Sequence, residues 1–149
     1  MLIVDHISFK CGSRHSFECI RALFEASGAN FWNATISGRG IAYIFLPESI
    51  KTSIGEIKFL ELSDQKPDGS QEEGIDHVEV YLQDLFSSQN SVIKMLGELG
   101  YGEMIHTARP HHPTHDLIID ESGLELRLEQ RPLIEDIAMV MVARIDSTI

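Results

Sequence analysis

The sequence predicts an α+β fold: two tandem βαβββ modules forming a curved mixed sheet around a concave cavity, with a helix at the C-terminal end. Three observations predict it. The stretch VDHISFKC at residues 4–11 is echoed by IDHVEVYL at residues 75–82, with the two histidines 77 − 6 = 71 positions apart. Each copy is followed by a helical pattern and then by three strand-like runs. A polar segment from Asp64 to Gly74 separates the two halves. Self-similarity at a fixed offset marks a duplicated structural unit.

The elements follow in order. After the first strand, Ser13 is placed to cap a helix in which Phe17, Ile20, Leu23 and Phe24 recur at helical spacing, and Gly28 stops it. FWNATISG is read as a strand ending at the turn Gly38-Arg39-Gly40, IAYIFLP as a strand ending at Pro47, and GEIKFLELS as the closing strand. In the second half, SSQNSVIKMLGELG carries Val92, Leu96 and Leu99 on one helical face, and EMIHTAR, HDLIIDESG and LELRLEQ supply three strands. Pro132 stands where a helix can begin, with Ile134, Ile137, Ala138, Met141 and Ile145 on one face. The chain is therefore expected to be a single domain: module 1 over about 1–65, a linker over about 66–73, module 2 over about 74–132 and the helix over about 133–146.

Composition narrows the function classes. A chain of 149 residues that is 43% hydrophobic can bury a core without disulfides or a structural metal. Any metal would then serve function rather than folding. Twelve basic against 23 acidic residues leave a formal charge of −11, which argues against a nucleic-acid partner. The longest apolar run, Ala138 to Ala143, is far short of the ~20 residues that span a bilayer, and no leader pattern opens the chain. The expectation is a cytoplasmic protein without a membrane partner. Cys11 and Cys19 have no CxxC neighbour and read as buried thiols of a reducing compartment.

Strand alternation locates the polar residues. Ile7, Phe9 and Cys11 share one side of the first strand and His6, Ser8 and Lys10 the other. In the repeat, Val78, Val80 and Leu82 oppose His77, Glu79 and Tyr81. The closing strands alternate likewise: Leu60 and Leu62 oppose Glu61, while Leu124, Leu126 and Leu128 oppose Glu125, Arg127 and Glu129. Each module thus offers a histidine and a carboxylate to one concavity. Such N/O donors suit Zn, Ni, Mn or Fe rather than a thiolate site. A second cluster comprises His106, His111, His112 and His115; Pro110 and Pro113 bracket His111 and His112 in what reads as a loop at the mouth of the cavity, and His115 opens the next strand. Arg109 beside it is placed to meet an anionic substrate, Tyr43 and Tyr81 to line the cavity, and Trp32 to sit in the core.

These residues resemble the vicinal oxygen chelate superfamily, which includes glyoxalase I, methylmalonyl-CoA epimerase, extradiol dioxygenases and fosfomycin and bleomycin resistance proteins. DHISFKC, ISGRGIAYIFLPE, IKFLEL, GIDHVEVYL and the closing apolar-basic-apolar strand are similar to the YecM-like branch in particular, a bacterial group described as metal-binding. The resemblance covers nearly the whole chain. It implies a divalent-metal site with ligands from the first and last strand of each module, hence His6, Glu61 and His77. For the fourth position, a glyoxalase-like register from Gly123 lands on Arg127, which cannot ligate a metal. A YecM-like register gives Glu129, and the local echo of Leu60-Glu61-Leu62 gives Glu125.

The expected metal set is His6, Glu61, His77 and Glu129, with Glu129 and Glu61 as proton-transferring groups and Arg127, Arg109 and Tyr81 contacting substrate. Arg127 between two carboxylates is alternatively a salt-bridge partner. The resemblance implies an isomerase, epimerase or lyase acting on a small oxygen-chelating metabolite, or a metal-free protein that sequesters a small molecule, in either case possible as a homodimer.

Overall fold

A computed structural model describes residues 2–36, 38–52, 55–82, 94, 98, 105–107, 114–118, 124–129, 132–135 and 137–138. Along the chain these form β1 (Leu2–Lys10), α1 (Arg14–Ala26), β2 (Asn30–Ile36), β3 (Arg39–Thr52), β4 (Gly55–Ser63), β5 (Gly74–Leu82), β6 (Ile105–Thr107), β7 (Thr114–Ile118) and β8 (Glu125–Glu129). All the strands join one mixed sheet in the order β2-β3-β4-β1-β5-β8-β7-β6. β1 runs parallel to β4, β5 runs parallel to β8, and β1 and β5 are antiparallel to each other at the centre. Outward from that seam both halves have the same succession of strands. The two halves thus share one succession of strands, and the fold is the expected α+β one.

Helix α1 forms for the reasons the sequence suggests. The Ser13 side chain accepts the Ser16 amide at 3.0 Å, and Gly28 takes a positive φ of 77° just past the C-terminal end. Its apolar stripe, Phe17, Ile20 and Phe24, packs with Cys11, Ala42, Ile44, Leu60 and Leu62 on one face of the sheet. A second cluster, Val4, Ile57, Val80 and Leu128, spans the seam between the halves. Each such aliphatic side chain contributes about 1.5–3 kcal/mol when fully buried. Cys11 is fully buried, and burial, with Glu73 and Asp64 nearby, pushes its thiol up to about 12. Cys19 departs from the expectation of two buried thiols: it lies on the exposed side of α1, within 3.6 Å of His15.

Two further departures have clear causes. β3 continues through Pro47 to Thr52 instead of ending there. The ladder with β4 jumps from Phe45↔Phe59 to Ile50↔Ile57, so 50 − 45 = 5 steps on β3 face 59 − 57 = 2 on β4. Proline has no amide to give a ladder and is accommodated in this bulge. The segment between the halves is pinned rather than loose. Gln71 is buried and donates to the carbonyls of Cys11 and Asp64 at 2.8 and 3.0 Å, while Arg39 donates to its side-chain oxygen.

In the second half, Lys94 and Glu98 are helical, four residues apart with their charges 3.8 Å from each other, and the rest of the helix expected there lies outside the described residues. At the C-terminal end Leu133, Ile134, Glu135, Ile137 and Ala138 are helical; residues beyond 138 lie outside the described set. Leu133 and Ile137 are buried one turn apart against Ile41 and Tyr43, on the face opposite to α1, with Trp32 and Ala34 beside them. Trp32 stacks on Tyr43 with ring centroids 5.4 Å apart.

Candidate metal centre

Strand register assembles the site as two neighbouring rows across the sheet. One row reads Phe45, Phe59, His6, Glu79, Arg127 and Asp116; the other reads Tyr43, Glu61, Ser8, His77 and Glu125. Residues two apart on a strand share a face, so both rows point to the same side. The repeat axis between β1 and β5 relates His6 to His77 and Ser8 to Glu79. It equally relates Glu61, opposite Ser8, to Arg127, opposite Glu79. Where β4 presents Glu61, β8 presents Arg127, and a carboxylate stands opposite it one strand away, on β5.

The Asp-His echo has a local structural meaning. Between Val4 and His6 on β1 the partner strand advances by one residue, and between Ser8 and Phe9 it is β5 that carries the extra residue, Asp76. Asp5 and Asp76 are the bulged residues. The first bulge puts Val4 and Ile7 on the same core face despite their odd spacing, since Val4 pairs with Val80 and Ile7 with Val78. Each aspartate turns its carboxylate onto the Nδ1 of the histidine after it, at 2.8 Å for Asp5–His6 and 2.9 Å for Asp76–His77. A carboxylate on Nδ1 fixes the tautomer and directs Nε2 outward, the usual preparation of a ligating histidine.

Side-chain geometry converges on these rings. His6, His77 and Glu79 offer ligand atoms within 4.8 Å of one another, and all three are buried. The imidazoles meet edge-on with centroids 5.9 Å apart. Glu79 bridges them, one oxygen 3.4 Å from His6 Nδ1 and the other 3.8 Å from His77 Nε2. Glu61 completes the approach from β4, its Oε2 3.9 Å from His6 Nε2 while Ser8 Oγ donates to Oε1 at 2.9 Å. His6 Nε2 itself is buried without a hydrogen-bond partner. A buried imidazole nitrogen left without a partner is costly unless something coordinates it. Together with an all-N/O donor set, this nitrogen fits a divalent cation.

Charge is concentrated here. Burial on its own would depress His6, yet Glu79, Asp5 and Glu61 outweigh it and lift the ring to about 9. Burial likewise disfavours charge on His77, and Arg127 opposes it, but hydrogen bonds to Asp76 and Glu79 leave that ring raised as well. Burial would raise Asp76, but His77 and Lys10 hold its carboxyl well below the usual range. Carboxylates surround both imidazoles, and a metal held there would displace the protons on the rings.

The remaining expected residues fall as follows. Arg127 is buried, donates to Asp116 at 2.8 Å and to Glu125 at 3.3 Å, and places one guanidinium nitrogen 3.0 and 3.1 Å from the two His77 ring nitrogens. Glu129 is one step further along β8, in the row of Tyr81 and Ile3, and outside the group formed by His6, His77 and Glu79. Tyr81 is half-buried, its hydroxyl raised by burial and by the charges of Asp5 and Glu135. Tyr43, expected in the cavity lining, lies buried beneath the C-terminal helix. His106 and His115 are cross-strand partners on β6 and β7; Arg109, His111 and His112 lie outside the described residues. Glu79 was not among the expected ligands, although its place two residues after His77 sets it on the same face, and it lies in one group with His6 and His77.

Two halves with the same succession of strands meet at β1 and β5, with histidine and carboxylate side chains on one face of a mixed α+β sheet. The solved structure of methylmalonyl-CoA epimerase from Mycobacterium tuberculosis shares the fold with a TM-score of 0.52 and 14% identity, covering 89% of this chain and 91% of that one. The chain belongs to the YecM protein family, which it matches over residues 1–122. A solved structure described as "Structural Genomics, Protein EC4020" is similar with a TM-score of 0.71 and 22% identity over 93% of this chain and 76% of that one. No curated protein sequence matches the chain. Among the described residues, no helix is long and apolar enough to cross a membrane.

Proposed function

We propose that this chain binds one divalent metal ion through His6, His77, Glu61 and Glu79 and works as an isomerase, epimerase or lyase on a small molecule with adjacent oxygens. The observation that carries the reading is the partnerless, buried Nε2 of His6, held outward by Asp5 beside a second histidine whose Nδ1 likewise meets an aspartate. A cation held there supplies Lewis-acid polarisation of a substrate carbonyl. Asp5 and Asp76 orient the imidazoles. Glu61 is more exposed than Glu79, with one oxygen engaged by Ser8, and is suited to move a proton at the carbon next to that carbonyl. Glu79 takes the place expected of Glu129, which stays on the same face, nearer Tyr81. Cys19, an exposed free thiol, suits a reducing compartment such as the cytoplasm.

Arg127 favours a second reading, in which the pocket holds a small molecule without metal, because a guanidinium beside His77 opposes a cation there. Asp116 and Glu125 offset that charge, which tips the balance to the metal. Plasma mass spectrometry on tag-free protein, after exposure to Zn, Mn, Ni and anaerobic Fe(II), tests the point. About one equivalent of metal in the wild type, lost in His77→Ala, is the expected result. No metal in either chain would overturn the reading in favour of the second.

A further inference from the structure

Asp5 serves two parts of the molecule with one oxygen. Its Oδ2 lies 2.8 Å from His6 Nδ1 and accepts the amide of Leu133 at 3.2 Å, and the carboxylate is buried. Leu133 opens the C-terminal helix, where an amide has no partner within its own helix. That helix covers Ile41 and Tyr43 with Leu133 and Ile137, on the face that also carries Glu61 and the histidines. The second module differs at the matching place: the corresponding aspartate, Asp76, is braced by Lys10, a side chain of the neighbouring strand. Among the described residues, the tie to the helix is made on the His6 half of the site.

The tie works in both directions. A docked helix holds the Asp5 carboxylate where His6 Nδ1–H can donate to it, which keeps Nε2 directed at the site. A cation on Nε2 would make Nδ1–H a stronger donor to Asp5 and so favour the arrangement that receives the Leu133 amide. Two binding events that share an intermediate group reinforce each other by the same factor.

We propose that Asp5 is a positioning residue that couples the metal site to the C-terminal helix, so that a divalent cation at His6 and the docked helix stabilise one another. The inference rests on the metal-binding reading above. It assigns the C-terminal helix a part in the site although none of its described residues belongs to the ligand group.

The test uses the full chain and Zn²⁺ alone. Trp32 is the single tryptophan and packs against the helix contact, so its emission reports docking. In the wild type, saturating Zn²⁺ slows hydrogen exchange of the Leu133 amide and shifts Trp32 emission to the blue. Ile137→Asp places a charge in the buried helix contact, touches no proposed ligand, and is expected to weaken Zn²⁺ binding on the order of tenfold. Ile134→Asp, on the exposed side of the same helix, leaves affinity unchanged. Asp5→Asn shifts Trp32 emission to the red before any metal is added and weakens binding as well.

Wild-type affinity in an Ile137→Asp chain with red-shifted Trp32 would overturn the coupling and leave the metal reading intact. If that variant does not fold, the wild-type exchange experiment decides: unchanged Leu133 protection at saturating Zn²⁺ overturns it. A flat wild-type Zn²⁺ isotherm would overturn the metal reading and the coupling together.

Discussion

His6 and Glu79 carry most of the chemistry at the scale of single residues. A buried imidazole surrounded by carboxylates has two stable states, protonated or metal-bound, and the neighbours that raise its proton affinity also raise its affinity for a cation. Glu79 touches both histidines, whereas Glu129 lies a row away beside Tyr81. Glu79→Gln is therefore expected to weaken Zn²⁺ binding by at least about tenfold and Glu129→Gln by less than about threefold, a separation readily resolved by titration calorimetry. Equal losses would return Glu129 to the ligand set. Arg127 sets the second half of the site apart from the first. At the position related by the repeat to Glu61 it is a cation, and the compensating carboxylate stands opposite it on β5 in place of Ser8.

Among the elements, the bulges and the linker decide most. A regular strand would send Asp5 and His6 to opposite faces; the extra residue allows the aspartate to reach its neighbour's ring. The linker sets how the halves meet, because Gln71 satisfies carbonyls at the end of β1 and just past β4 at once. Replacing Gln71 with Ala strands those two buried acceptors and is expected to cost about 1–3 kcal/mol, read as a lower urea midpoint with an unchanged slope. An unchanged midpoint would mean that water takes over both bonds.

For the whole molecule, pH sets a balance between protons and metal. The His6 ring titrates near 6.5 when unfolded and about 9 when folded, so the folded state holds its proton more tightly. The stabilisation from this group is complete below pH 6.5 and is lost as pH rises through about 9. His77 is raised too and acts in the same direction. Metal-free protein should thus lose stability between pH 6.5 and 9, by up to ~1.4 kcal/mol per pH unit for each proton released. Zn²⁺ affinity should strengthen over the same window, since binding no longer has to expel those protons. Thermal melts at a series of pH values, with chelator and with Zn²⁺, check both trends; a metal-free Tm that rises towards pH 9 would contradict them.

Much of this was legible along the chain. The Asp-His echo, the alternation of β1 and β5 and the apolar stripe of α1 determined an α+β fold with two halves of like strand succession and put His6, Glu61, His77 and Glu79 on one face, because strand and helix periods are local properties. The tertiary structure alone decided which carboxylate stands between the histidines, how far β3 runs past Pro47, and that Asp5 meets the amide of Leu133, 128 residues away. Bulges and register depend on which strand lies alongside, and a hydrogen bond across the chain depends on both partners being placed by everything between them. No local pattern carries that information.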